Sequence, residues 1–152
     1  MKKRKIATIV LTAACMVISV LPVSASNFEN THFGFQLPVY NGLGIQPGPR
    51  QKTDDTSCYV RYNDGPWDTW FAIFGSNNAV QSPDVSTLVN CTLGERAKVG
   101  LGEEREVRQF VYEWYYQYAY IGGSSQSYPE QYAIGVWSPD CVGSYPYAPT
   151  LY

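Results

Sequence analysis

Apolar and polar residues alternate along HFGFQLPVY (residues 32–40), placing Phe33, Phe35, Leu37 and Val39 on one face. A period of two is that of a half-buried strand. Pro38 lacks a ladder donor, so this strand is predicted at a sheet edge. The following stretch, NGLGIQPGPRQKTDD, is dense in glycine, proline and charge and reads as a surface loop. Two ring-rich runs, 56–62 and 67–75, flank Asn63-Asp64-Gly65-Pro66. An Asp-Gly pair supplies the positive backbone angles of a tight turn, which predicts a hairpin. Residues 85–93 and 96–101 read as a second pair joined near Gly94-Glu95, and QYAIGVW (131–137) as a late strand.

One stretch supports two periods. Over 103–116, Val107, Phe110, Val111 and Trp114 fit a helical stripe. The same residues also read as strands 105–112 and 115–121 with a turn or bulge near Glu113, and the valines and packed aromatics favour the strands. Six to eight short strands separated by turn signals predict an all-β chain, an antiparallel sandwich or small barrel.

The N-terminal pattern is of another kind. MKKRKIATIVLTAACMVISVLPVSASN runs from four basic residues through an apolar stretch to Pro22 and the small-residue pattern Val23-Ser24-Ala25. This order is that of a secretory signal peptide cut after Ala25; the other reading is an uncleaved anchor. The expected organisation is a signal peptide at 1–25 and a secreted β domain at 26–152. Cleavage leaves seven basic against thirteen acidic side chains, a net charge of −6. Such an acidic domain gains nothing from phosphate contacts, which argues against nucleic acid and against membrane surfaces after cleavage.

Three cysteines follow the leader: Cys58, Cys91 and Cys141. In an oxidising compartment one disulfide and one odd thiol are expected. Spacing does not fix the connectivity; Cys58–Cys91 is favoured because both lie in predicted strands.

Signals for chemistry are sparse. His32 is the single histidine and the cysteines stand far apart, so neither a metal site nor a cofactor is expected. GGSSQS lacks the glycine-flanked serine of a strained nucleophile turn. Carboxylates are plentiful, but no spacing selects two of them. A small secreted hydrolase using Glu113 or Asp140 is therefore the second reading, with an exported effector or bacteriocin-like protein as a third. The first is a non-enzymatic binding domain. All thirteen tyrosines, four tryptophans and six phenylalanines follow the leader, more rings than one core face needs. Rings with polar tips suit stacking on a cell-wall polysaccharide or a surface protein. Trp70, Tyr116, Tyr118 and Tyr120 are the candidate ligand-binding residues.

The closing run GVWSPDC (135–141) collects a large ring, a hydroxyl, a proline, a carboxylate and a thiol. Each has a structural reading: Trp137 anchors a strand end, Pro139 stiffens the chain, and Asp140 accepts from nearby backbone amides.

Four stretches, KTDDTSCYV (52–60), NCTLGERAKVG (90–100), REVRQFVYEWYYQYAYIGG (105–123) and GVWSPD (135–140), carry a resemblance. In this order behind a signal peptide they resemble small exported Firmicute proteins of unknown function, near domain of unknown function 2712. The resemblance implies a secreted, mostly β domain from a Gram-positive bacterium and implies no activity. NDGPWDTW and the extra tyrosines depart from it. Cys141 stands where the resemblance leads one to expect serine, which weakens any role for a shared disulfide.

Overall fold

The computed structural model describes residues 27–126 and 129–152; the expected signal peptide with its expected cut after Ala25, and Tyr128, lie outside them. Eleven short β elements follow one another: β1 Thr31–Leu37, β2 Gly44–Ile45, β3 Arg50–Gln51, β4 Cys58–Asp64, β5 Trp70–Ser76, β6 Val89–Asn90, β7 Arg96–Lys98, β8 Glu104–Val107, β9 Tyr118–Ser124, β10 Gln131–Ser138 and β11 Thr150–Leu151. One sheet has the order β1-β10-β4-β8. The other runs β11-β7-β5-β9-β2, with β3 on β9 and β6 on β5. The paired strands are antiparallel. Of the two expected forms, the chain takes the sandwich.

Alternation decides which face is covered. Phe33, Phe35 and Leu37 of β1 turn inward, with Cys58, Val60 and Tyr62 of β4 and Ala133 and Trp137 of β10. They meet Phe71 and Ile73 of β5 and Ala119 and Ile121 of β9 from the other sheet. As Pro38 implied, β1 is an edge strand. The alternate positions of β5 and β9 are also covered: Ala72, Phe74 and Tyr120 form a second cluster with Leu43, Ile45, Leu88 and Tyr118. Burial on both faces is why β5 reads as the unbroken apolar run WFAIFG.

Glycine permits the closest approaches. A Cβ at Gly135 would come 2.2 Å from the Arg61 carbonyl and 2.5 Å from the Phe33 ring, beside the irregularity at Ile134/Gly135.

Two expected hairpins are not formed. β4 and β5 lie in different sheets, so residues 65–69 form a sheet-to-sheet corner. Gly65 takes φ +132°, and the Pro66 carbonyl accepts from the Tyr62 and Thr69 hydroxyls at 2.7 and 2.8 Å. Inward-facing Tyr62 draws the turn under the core rather than leaving it as a free two-residue loop. In the second region, Val85–Thr87 is a 3₁₀ turn capped by Asp84, and β6 and β7 each pair with β5 instead of with each other. Over 103–116 two strands flank a turn, as read, but both are shorter than the expected 105–112 and 115–121: β8 ends at Val107 and β9 begins only at Tyr118, so 108–117 is turn and loop.

Candidate functional site

Among the described residues the turn after β8, at 110–116, carries a dense set of exposed rings and forms an aromatic ledge. It is a single helical turn: the Trp114 amide donates to Phe110 O and the Tyr116 amide to Val111 O, both at 2.9 Å. Two anchors fix it. Val111 is a buried plug, and Gln109 accepts from the Val111 amide (2.6 Å) while donating to Thr56 O (2.8 Å). Tyr115 closes the turn at φ +62°, a left-handed conformation that costs a non-glycine residue about 1–2 kcal/mol. The result lifts Tyr115 to 88% exposure, beside Tyr112 at 48% and Trp114 at 50%. Trp114 stacks on Phe110, with centroids 5.5 Å apart and planes 20° from parallel. Beside Tyr112 and Tyr115 lies a depression of about 280 Å³ lined by these two rings with Tyr116, Gln51, Lys52 and Gln117. Ring faces bordered by side-chain amides combine stacking with hydrogen bonding.

The sequence candidates are dispersed. Tyr116 is half-buried on the wall of this depression and packs over Gly75, where a Cβ would stand 2.5 Å from its ring. Tyr118 is half-buried against the second cluster. Tyr120 is a core ring: fully buried, its hydroxyl lies 3.0 Å from Asn78 O, Val80 O and the Val80 amide. It pegs the 77–80 loop and presents no face to a ligand. In β5, Trp70 pairs with Ser124 and Ser76 with Tyr118. Trp70 is thus six residues from Tyr118's end, about 20 Å at strand rise. There it shares the Lys98 ammonium with exposed Trp67, at 5.6 and 5.5 Å from the two rings. The alternation signal could not separate Tyr115 from Tyr120, because the exposed rings sit on a turn.

Directly behind the ledge is a buried ion pair. The Lys52 amide continues the β3–β9 pairing by donating to Gln117 O at 2.9 Å, which turns the side chain inward. Lys52 Nζ donates to Asp140 Oδ1 (2.5 Å), Thr56 O (2.7 Å) and Asp54 Oδ1 (3.2 Å). The side chains of Lys52 and Asp140 have no exposed area. Asp140 Oδ2 accepts from the Asn27 amide (2.6 Å) and the Thr53 hydroxyl (2.5 Å). Thr56 bridges the remainder: its hydroxyl donates to Asp54 Oδ1 at 2.5 Å and accepts the Cys141 amide at 3.0 Å. Arg50 runs alongside, donating to Asn27 Oδ1, the Glu29 carbonyl and the Thr31 hydroxyl, with its guanidinium over the Trp137 ring. The sequence assigned Lys52 no role, and Asp140 either backbone partners or a hydrolase carboxylate, not a buried ion pair.

Among the described residues Cys58, Cys91 and Cys141 are free thiols, so the expected Cys58–Cys91 disulfide is not formed in this structure. Cys58 belongs to β4 in one sheet, whereas the Cys91 amide bonds to Ile73 O of β5 in the other. Each thiol turns to a carbonyl of its own, Pro139 O at 3.2 Å and Val89 O at 3.3 Å. Burial pushes the pKa of both up to about 12. Cys141 is half-exposed, and burial raises its pKa as well.

A family model described as a protein of unknown function (DUF2712) matches residues 21–141. No curated protein and no solved structure matches. Among the described residues, no helix is long and apolar enough to cross a membrane.

Proposed function

The chain belongs to the DUF2712 family, and on that premise we propose that it is an exported, non-enzymatic β domain that binds cell-wall polysaccharide through the ledge at residues 110–116. The observation that carries the reading is the ledge itself. Tyr112, Trp114 and Tyr115 are held exposed by a turn that spends backbone strain at Tyr115, and Tyr112 and Tyr115 border a depression edged by Gln51 and Gln117. Sugar rings offer apolar faces to stack and hydroxyls to bond, which matches ring faces beside amides. The mature acidic charge adds no attraction for nucleic acid.

A carboxylate hydrolase has less support. Asp140 is enclosed and committed to Lys52, and Glu113 stands exposed on the ledge turn.

Co-sedimentation of the secreted protein with purified cell wall and with soluble polysaccharides tests the proposal. Trp114→Ala and Tyr115→Ala should each weaken retention about tenfold, the loss of one stacked ring, with the urea midpoint unchanged. Retention equal to wild type in both variants would overturn it.

A further inference from the structure

We propose that Lys52 and Asp140 condense into an intramolecular amide, so that the mature protein carries a covalent bridge between its two sheets. This goes beyond the polysaccharide reading and does not depend on it. The reactants are already in place: Nζ lies 2.5 Å from Oδ1, and neither side chain has exposed area. Groups held in contact and shielded from water react with effective molarities on the order of 10⁵–10⁸ M. Condensation also replaces two enclosed charges by one neutral amide, removing the desolvation that a buried pair otherwise carries.

The surrounding groups match the steps. Nζ passes a proton to Oδ1, giving an amine and a carboxylic acid. The amine lone pair then adds to Cγ, and the developing negative charge falls on Oδ2. Two donors already point at that oxygen, the Asn27 amide at 2.6 Å and the Thr53 hydroxyl at 2.5 Å. Donors preplaced on an oxygen that gains charge are the usual means of stabilising such an adduct. Asp54 Oδ1, 3.2 Å from Nζ, takes one proton from the nitrogen and delivers it to Oδ1. Oδ1 departs as water and the Cγ–Oδ2 double bond re-forms. Of the three Nζ protons, one stays on the amide and two leave with the water. Charge balances, and no oxidant or further reactant is required. Thr56 O, 2.7 Å from Nζ, orients the amine throughout.

The position gives the bond its consequence. Lys52 follows β3, which pairs with β9 in one sheet, and Asp140 follows β10 in the other. The bridge closes 88 residues of chain.

Intact mass of the secreted full chain, with its N-terminus read from the same sample, tests the proposal. The protein should weigh about 18 Da less than its sequence, the mass of one water. Trypsin should then leave residues 51–61, uncut at Lys52, joined to residues 109–152. Lys52→Arg should keep its full mass, and Asp54→Asn should condense at least about tenfold more slowly, as expected on removing a proton carrier. Wild type at full mass overturns the proposal. So does a loss of water that maps elsewhere, such as to Asp64-Gly65, or that survives in Lys52→Arg. Condensation of Asp54→Asn at the wild-type rate overturns the assignment of Asp54 as proton carrier.

Discussion

Tyr120 separates a ring that holds the fold from a ring that meets a ligand. Two substitutions divide its contribution. Tyr120→Phe removes only the hydroxyl, which is shared among Asn78 O, Val80 O and the Val80 amide at 3.0 Å. Those backbone groups lie in the exposed 77–80 loop and can turn to water. The loss is therefore a net hydrogen bond, about 1 kcal/mol, and not the larger penalty of a sealed unpaired group. Tyr120→Ala also removes a fully buried ring from the cluster formed with Ala72, Phe74, Leu43, Ile45 and Leu88. Deleting such a ring costs about 3–5 kcal/mol. Urea unfolding followed by tryptophan fluorescence measures both, and amide exchange at 77–80 should quicken in Tyr120→Phe. If Tyr120→Ala unfolds within about 0.5 kcal/mol of wild type, the usual range of a neutral surface change, the assignment to the core is refuted.

Two further outcomes follow from burial. Trp137→Ala should lower stability by about 3–5 kcal/mol in the same urea assay, since the ring is 1% exposed between β1 and β4; a loss below about 1 kcal/mol would mean that Arg50 and the rest of the core close over the gap. Cys58 and Cys91, with pKa values raised from 9.0 to about 12, should resist alkylation at pH 8 in the native protein while Cys141 reacts. The raised values contribute stability that is fully present below pH 9 and is lost as pH climbs toward 12. The urea midpoint should therefore fall across that window, and a flat profile would refute the burial argument.

Period-two patterning made much of the fold legible. Phe33, Phe35 and Leu37 read as one inward face, Pro38 marked an edge, and the turn between β8 and β9 was foreseen near Glu113. Pairing partners were not legible, because a turn signal says that the chain reverses without saying into which sheet. Asp64-Gly65 satisfies the chemistry of a hairpin, yet Tyr62 reaches under the corner to Pro66 O and steers β5 across the sandwich. The same limit hid the site. Tyr112, Tyr115 and Tyr120 are one residue type within nine positions, and only the tertiary course of the turn separates an exposed ring from a sealed one.

Asp140 shows how far local chemistry carries and where it stops. Read beside Pro139, an aspartate accepts backbone amides, and replacing it with asparagine would cost about 1 kcal/mol or less because an accepting oxygen survives. The Asn27 amide fits that reading. The Lys52 ammonium, 88 positions away in sequence, does not, and it changes the scale of the effect. An amide at 140 keeps one acceptor but loses the charge that balances Nζ, and it sets an NH₂ donor among groups that all donate. Before condensation that is a broken buried pair, in the range of about 3–5 kcal/mol. Lys52 itself was hidden by its neighbours, since KTDD reads as a solvated charge run. What takes the lysine out of solvent is the β3–β9 pairing at Gln117, which turns it toward the seam where the ends of β3 and β10 meet. Pairing across sheets, not composition, thus decides whether these residues are a polar turn or a reactive pair.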